Sequence, residues 1–154
     1  MRSNSELDDE NVSSVYVERV RPLRTRSYEL DVPERENPVE VLHTLLGIEL
    51  KVGRRRFACP DLATARFLSV FARIGCREFA IPYDITKIST VADELETELQ
   101  RAILRVETET RGMTEPQQRR RRSGLLKAIR SRIADIGPGE RMPEFKQSTK
   151  QRGA

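Results

Sequence analysis

Between Ile48 and Ile85 the apolar positions recur with the period of a strand, then of a helix, then of a strand again. Ile48, Leu50 and Val52 alternate with Glu49 and Lys51, as in a strand that buries one face. Gly53-Arg54 fits a two-residue turn of type II′, with glycine where φ must be positive. That loop sets a register: Val52 opposite Arg55, Leu50 opposite Phe57 and Ile48 opposite Cys59. Ile48, Leu50, Phe57 and Cys59 then share the buried face, and Lys51 and Arg56 lie on the other. Asp61, after Cys59-Pro60, stands where it can cap a helix from Leu62 to Ile74. Leu62, Ala65, Phe67, Leu68, Val70, Phe71 and Ile74 leave this helix little polar face, which predicts burial. Gly75 stops it. Phe79, Ile81, Tyr83 and Ile85 read as a third strand, which Pro82 confines to an edge or breaks. The fold class is therefore α+β, a small antiparallel or mixed sheet with a β-β-α-β core.

The flanks are less regular. Residues 1–14, rich in Ser, Asn, Asp and Glu, read as a disordered acidic N-terminus. Val15–Val20 reads as a short strand, and Tyr28, Leu30 and Val32 alternate as a second. Asn37-Pro38-Val39-Glu40 has the form of a helix start, with Asn37 as cap. It predicts a short helix that ends at Gly47, with Val39, Leu42, Leu45 and Leu46 on its apolar side. After residue 86 the pattern is helical. Thr90 with Asp93 opens one helix whose stripe is Ala92, Leu95, Leu99, Ala102, Ile103 and Val106, and Gly112 ends it. Thr114-Glu115-Pro116-Gln117 caps a second, with Leu125, Leu126, Ile129, Ile133 and Ile136 at helical spacing. A short glycine-containing loop between them predicts an antiparallel hairpin. The domain reading is an acidic N-terminus over 1–14, an α+β core over 15–86, a helical hairpin over 87–136 and a flexible basic tail over 137–154.

Composition changes this picture in two ways. Hydrophobic residues make up 37% of 154 positions, low for a chain of this length, which predicts unpacked segments. Charged residues make up 34%, and neither a long apolar run nor a signal-like start is present, so a soluble cytoplasmic protein with no membrane contact is expected. Cys59 and Cys76 lie at opposite ends of the predicted helix without metal-ligand spacing and are read as thiols, with no metal site and no cofactor.

The net charge of +4 is unevenly spread. Arg111 to Ala154 holds twelve Lys and Arg against four Asp and Glu, whereas Val91 to Thr110 holds two against six. An acidic helix would thus face a basic one. On a helical wheel Arg119, Arg120, Lys127 and Arg130 gather on one flank, Arg121 and Arg132 lie on the other, and Arg122 falls on the apolar seam. Guanidinium groups in such a cluster suit phosphate recognition, because they donate two bonds in a plane and release condensed counterions. Arg54, Arg55 and Arg56, with Lys51, form a second cluster. No aromatic platform accompanies the basic helix, so backbone contact with RNA or a ribonucleoprotein is expected rather than base reading.

The alternative is an interaction or homo-oligomerisation module, in which Leu95, Leu99, Val106, Leu126, Ile129 and Ile133 pack on a partner. Catalysis has thinner support. His43 lacks a matching partner and reads as a helical residue beside the apolar stripe. Tyr83-Asp84 at the last strand's end, near Arg73 or Arg77, reads first as a turn, and no phosphate loop, nucleophile elbow or metal set is present.

Val32-Pro33-Glu34-Arg35, then Val41-Leu42, Gly53 with Phe57, Asp61-Leu62 and Ala80-Ile81-Pro82-Tyr83 together resemble an uncharacterised archaeal family of small conserved hypothetical proteins. The resemblance covers the middle of the chain, with the pair Ile81-Pro82 reversed relative to the family's order. It implies an intracellular archaeal protein and carries no activity.

Overall fold

A computed structural model describes residues 11–138. The architecture is α+β, with two small antiparallel sheets and a long C-terminal helical pair. In chain order it comprises a helical segment α1 (Val12–Val15, continuing as a π-helical stretch Tyr16–Val20), β1 (Thr25–Glu29), β2 (Val39–Thr44), β3 (Gly47–Val52), β4 (Arg55–Cys59), α2 (Leu62–Ile74), β5 (Glu78–Pro82), α3 (Ile85–Glu109) and α4 (Glu115–Ile136).

The central hairpin has the register that the alternation predicts: Ile48 faces Cys59, Leu50 faces Phe57 and Val52 faces Arg55. Gly53 takes a φ of +60°, a value that a side chain would make costly. Asp61 caps α2 by accepting from the Thr64 N–H at 2.7 Å. Gly75 ends that helix at φ +93°, and eight of the helix's thirteen residues are buried.

Three expectations fail for physical reasons. First, β5 does not join the hairpin. It pairs antiparallel with β1, from Thr25 opposite Pro82 to Glu29 opposite Glu78, and the Tyr83 N–H still donates to the Arg24 carbonyl at 3.1 Å, so Pro82 stands where its missing N–H would face away from β1, at the sheet's edge. Ile85 starts α3 instead. Second, Val15–Val20 is helical. Val12, Tyr16 and Val20 are all buried, four residues apart, and the Arg21 N–H reaches back to the Tyr16 carbonyl at 3.0 Å, the wide i→i+5 turn of a π-helix. Residues 11–14 therefore belong to the packed body, whereas the remainder of the predicted disordered N-terminus lies outside the described residues. Third, residues 39–44 form a strand that pairs with β3, Val39 opposite Val52 through Thr44 opposite Gly47. The supposed cap, Asn37, is buried and donates from its side-chain nitrogen to the carbonyls of Pro33, Arg35 and Ala72 at 3.0, 2.9 and 3.0 Å. A helix cap must accept from the following N–H groups. With its side chain captured by the end of α2, Asn37 starts no helix, and β-branched Val39 and Val41 enter the sheet.

The core centres on α2. Phe71 stacks on Phe79 of β5 at 4.2 Å between centroids, Phe67 lies 5.0 Å from Phe71, and Tyr16 meets Phe71 edge-on at 5.8 Å. Each such ring, fully buried, contributes roughly 1.5–3 kcal/mol. Helix α3 packs most extensively against α2, and α4 folds back along α3 and reaches α1, α2 and β5. α3 begins five residues before the predicted Thr90, with Asp84 as its cap. Its stripe Ala92, Leu95, Leu99, Ala102, Ile103 and Val106 is buried, as are Leu126, Ile129 and Ile133 of α4. The two sheets are tied by Asp31, which pairs with Arg55 of β4 at 2.8 Å and with Arg77 at 3.5 Å.

Candidate nucleic-acid interface

Helix α4 is the basic helix of the sequence, and the predicted capping box builds its start. The Thr114 hydroxyl accepts from the Gln117 N–H at 3.3 Å, and the Gln117 side chain accepts from the Thr114 N–H at 3.0 Å, satisfying two orphan donors reciprocally. Two arginines then fix which side faces inward. Arg122, on the apolar seam, meets Glu36 at 2.5 Å and Glu107 at 3.5 Å. Arg130 donates to the carbonyl of Ile74 at 2.7 Å, placing a cation on the negative end of α2.

With those two committed inward, the remaining predicted contacts divide. Arg119, Arg120 and Lys127 are exposed, and none has a carboxylate partner among the described residues. Arg120 and Lys127 are seven positions apart, two turns, or about 10 Å along one face. Arg119 occupies the adjoining flank. Arg121 lies 3.7 Å from Glu109, and Arg132 donates to the Ser13 hydroxyl at 3.2 Å. Arg130, counted from sequence among the outward cations, is instead half-buried in the contact with Ile74.

The acidic helix packs beside the basic one, as the hairpin predicts, but does not neutralise it along its length. Glu94 of α3 pairs with Arg19 of α1 at 2.6 Å, which holds its carboxyl below the usual range. Glu96 receives two bonds from Arg66 of α2 at 2.7 and 3.1 Å, and Asp93 meets the same guanidinium. Glu98 pairs within its own helix with Arg101 at 3.0 Å. Among the acids of α3, only Glu107 and Glu109, in its last turn, pair with α4.

The second predicted cluster is half neutralised, at Arg55 and Arg56 but not at Arg54 or Lys51 among the described residues. Arg55 is paired with Asp31 and sits 5.6 Å over the Phe57 ring. Arg56 pairs with Glu49 at 3.3 Å. Arg54, at the turn, is exposed and has no carboxylate partner among the described residues. Sequence reading also missed two cation–π pairs, Arg24 over Tyr83 at 5.1 Å and Arg26 over Tyr28 at 5.4 Å. The first is brought together by the pairing of β1 with β5, which no local signal announced; the second joins neighbours on one face of β1.

The predicted partner surface, Leu95, Leu99, Val106, Leu126, Ile129 and Ile133, is closed by the chain itself, since all six are buried. Asp84 accepts from the hydroxyl and the N–H of Thr86 at 2.8 and 3.0 Å, and these bonds hold its carboxyl low. It acts as the N-cap of α3. His43 is exposed on β2. An open groove of about 640 Å³ between α1 and α3 has four of its lining charges paired within it, Arg19 with Glu94 and Arg101 with Glu98. Among the described residues no group of three or more His, Cys, Asp and Glu could hold a metal ion, and no helix is long and apolar enough to cross a membrane.

Comparison with protein-family models, with curated proteins and with solved structures finds no match to this chain.

Proposed function

We propose that this protein binds the phosphate backbone of RNA, alone or within a ribonucleoprotein, through the outer face of α4, and performs no catalysis there. The observation that carries the reading is the exposure of Arg119, Arg120 and Lys127 without acidic partners among the described residues, on a helix whose Arg121, Arg122 and Arg130 each meet a carboxylate or a carbonyl. A cation that must desolvate to bind an internal carboxylate gains little at the surface. One left in water next to others of its sign gains more from a polyanion, whose condensed counterions are released on contact. The helix is held by Arg122 and Arg130, so these side chains are offered on a fixed support.

The test is the dependence of RNA affinity on salt, measured with the full chain washed free of nucleic acid. A linear fall of log affinity with log salt is expected, shallower by about one unit for each of Arg119, Arg120 and Lys127 changed to Ala. Arg55→Ala with Arg56→Ala removes comparable charge from paired positions and is expected to leave the slope nearly unchanged. No binding at low salt, or a slope indifferent to the α4 substitutions, refutes the reading.

A further inference from the structure

Edge strands are kept from pairing with other chains by charge, proline, bulges or cover, and most edges of this molecule have such protection. β4 carries Arg55 and Arg56 and runs into Pro60. β1 carries Arg26 and Glu29. β5 ends in Pro82, and its Ala80 N–H is occupied by the Tyr16 hydroxyl at 2.7 Å. β2 differs. It is an outer strand of its three-stranded sheet, six residues long, reading Val-Glu-Val-Leu-His-Thr, with none of its residues fully buried. Glu40 is its one charged residue, and it holds no lysine, arginine or proline; Pro38, just before it, is turned toward β3, its carbonyl accepting the Gly53 N–H at 3.0 Å.

The hairpin that follows supplies a second, independent observation. Leu45 and Leu46 are 105% and 94% exposed, although the turn itself is well fixed. The Leu46 N–H donates to the Thr44 hydroxyl oxygen at 3.1 Å, and that hydroxyl donates to the Gly47 carbonyl at 3.0 Å. Two-residue hairpin loops favour Asn and Gly, so turn geometry does not account for a pair of leucines there.

We propose that β2 pairs antiparallel with β2 of a second copy about a two-fold axis normal to the sheet, joining two three-stranded sheets into one of six. Such an axis keeps inner faces on the same side. Because side chains alternate with period two, facing residues must then both be even-numbered or both odd-numbered, and the axis must pass at a residue. Centred on Leu42, the pairing sets Leu42 opposite Leu42, Glu40 opposite Thr44, Val41 opposite His43 and Val39 opposite Leu45 of the other copy. No like charges face each other, and the exposed Leu45 gains an apolar neighbour. Centred on Val41, it would place Leu45 against Asn37, which is buried in its own chain. Centred on His43, it would set two imidazoles face to face and shorten the ladder. The strand is thus self-complementary in one register, which favours a copy of itself over a foreign strand.

Light scattering is expected to give twice the 17.7 kDa of one chain, and Leu45→Asp, at a fully exposed position, to return the mass to a single chain. Leu42→Lys is expected to do the same with an unchanged circular dichroism spectrum. In a Cys59→Ser, Cys76→Ala background, Leu42→Cys is expected to form a disulfide between copies under mild oxidation, and Glu40→Cys is not. A native protein of single-chain mass at every concentration overturns the proposal, even if it captures an extended peptide from elsewhere. A dimer that survives Leu45→Asp, or cross-links at Glu40→Cys in preference to Leu42→Cys, also overturns it.

Discussion

The hydroxyl of Tyr16 donates to the carbonyl oxygen of Gly137 at 2.5 Å, joining the first described helix to the last. The Tyr16 hydroxyl oxygen also accepts the Ala80 N–H at 2.7 Å, so one side chain ties α1, β5 and the end of α4 together. Tyr16→Phe keeps the ring and its contact with Phe71 but leaves a buried N–H unpaired. Such a loss costs about 1–3 kcal/mol; urea unfolding is expected to show a lower midpoint at an unchanged slope.

Burial pushes the Tyr16 phenol up from 10.0 to about 12, against the opposing pull of the Ala80 N–H. A group whose pKa is higher folded than unfolded contributes stability that is complete below the unfolded value and lost as pH rises toward the folded one. Stability is therefore expected to fall between about pH 10 and 12, and Tyr16→Phe to flatten that limb. Cys76, pushed from 9.0 to about 12 mainly by burial, has the same sign and begins to act about one pH unit lower. Cys76→Ala is expected to remove the early part of the decline, which unfolding measured at a series of alkaline pH values would separate.

Gly75 ends α2 at φ +93°, and a methyl group there would collide with the backbone of Arg35. That backbone has little room to retreat, because Asn37 donates to the Arg35 carbonyl and also to Ala72 of α2. Gly75→Ala combines an unfavourable φ with a main-chain clash and is expected to cost at least about 2 kcal/mol. Thermal unfolding reads it directly. Gly53→Ala, with open space around the site, is expected to cost distinctly less.

Arg122 and Glu36 are half-buried partners 86 positions apart. A double-mutant cycle with Arg122→Met and Glu36→Gln is expected to give a coupling energy of about 0.5–1 kcal/mol that declines with added salt. Loss of this pair is also expected to loosen the start of α4, so that amide exchange at Gln118 to Arg122 quickens relative to Ile129.

Legibility from sequence followed the range of the forces involved. The Gly53 hairpin, the Asp61 and Thr114 caps, and the stripes of α3 and α4 depend on neighbours a few residues away, and the structure places them as the spacing predicts. Asn37-Pro38 failed because its decisive contact is with Ala72 and Arg73, at the end of a helix thirty-five residues on. α1 failed because valines suggest a strand, whereas the spacing of Val12, Tyr16 and Val20 was the better guide to a helix. At the basic helix the cluster itself was readable. Which of its members turn inward was not, since Glu36 and Ile74 lie in remote segments.

The division of acidic partners has a consequence for how this protein can change over time. Arg66 and Arg19 engage the carboxylates of α3 from the far side, so cohesion and outward sign reside in different arginines. Drift of Arg66 to a neutral residue would soften the body and leave its exterior unaltered. Drift of Arg120 to glutamate would weaken the positive exterior and leave the body as firm as before, so selection can adjust the two independently.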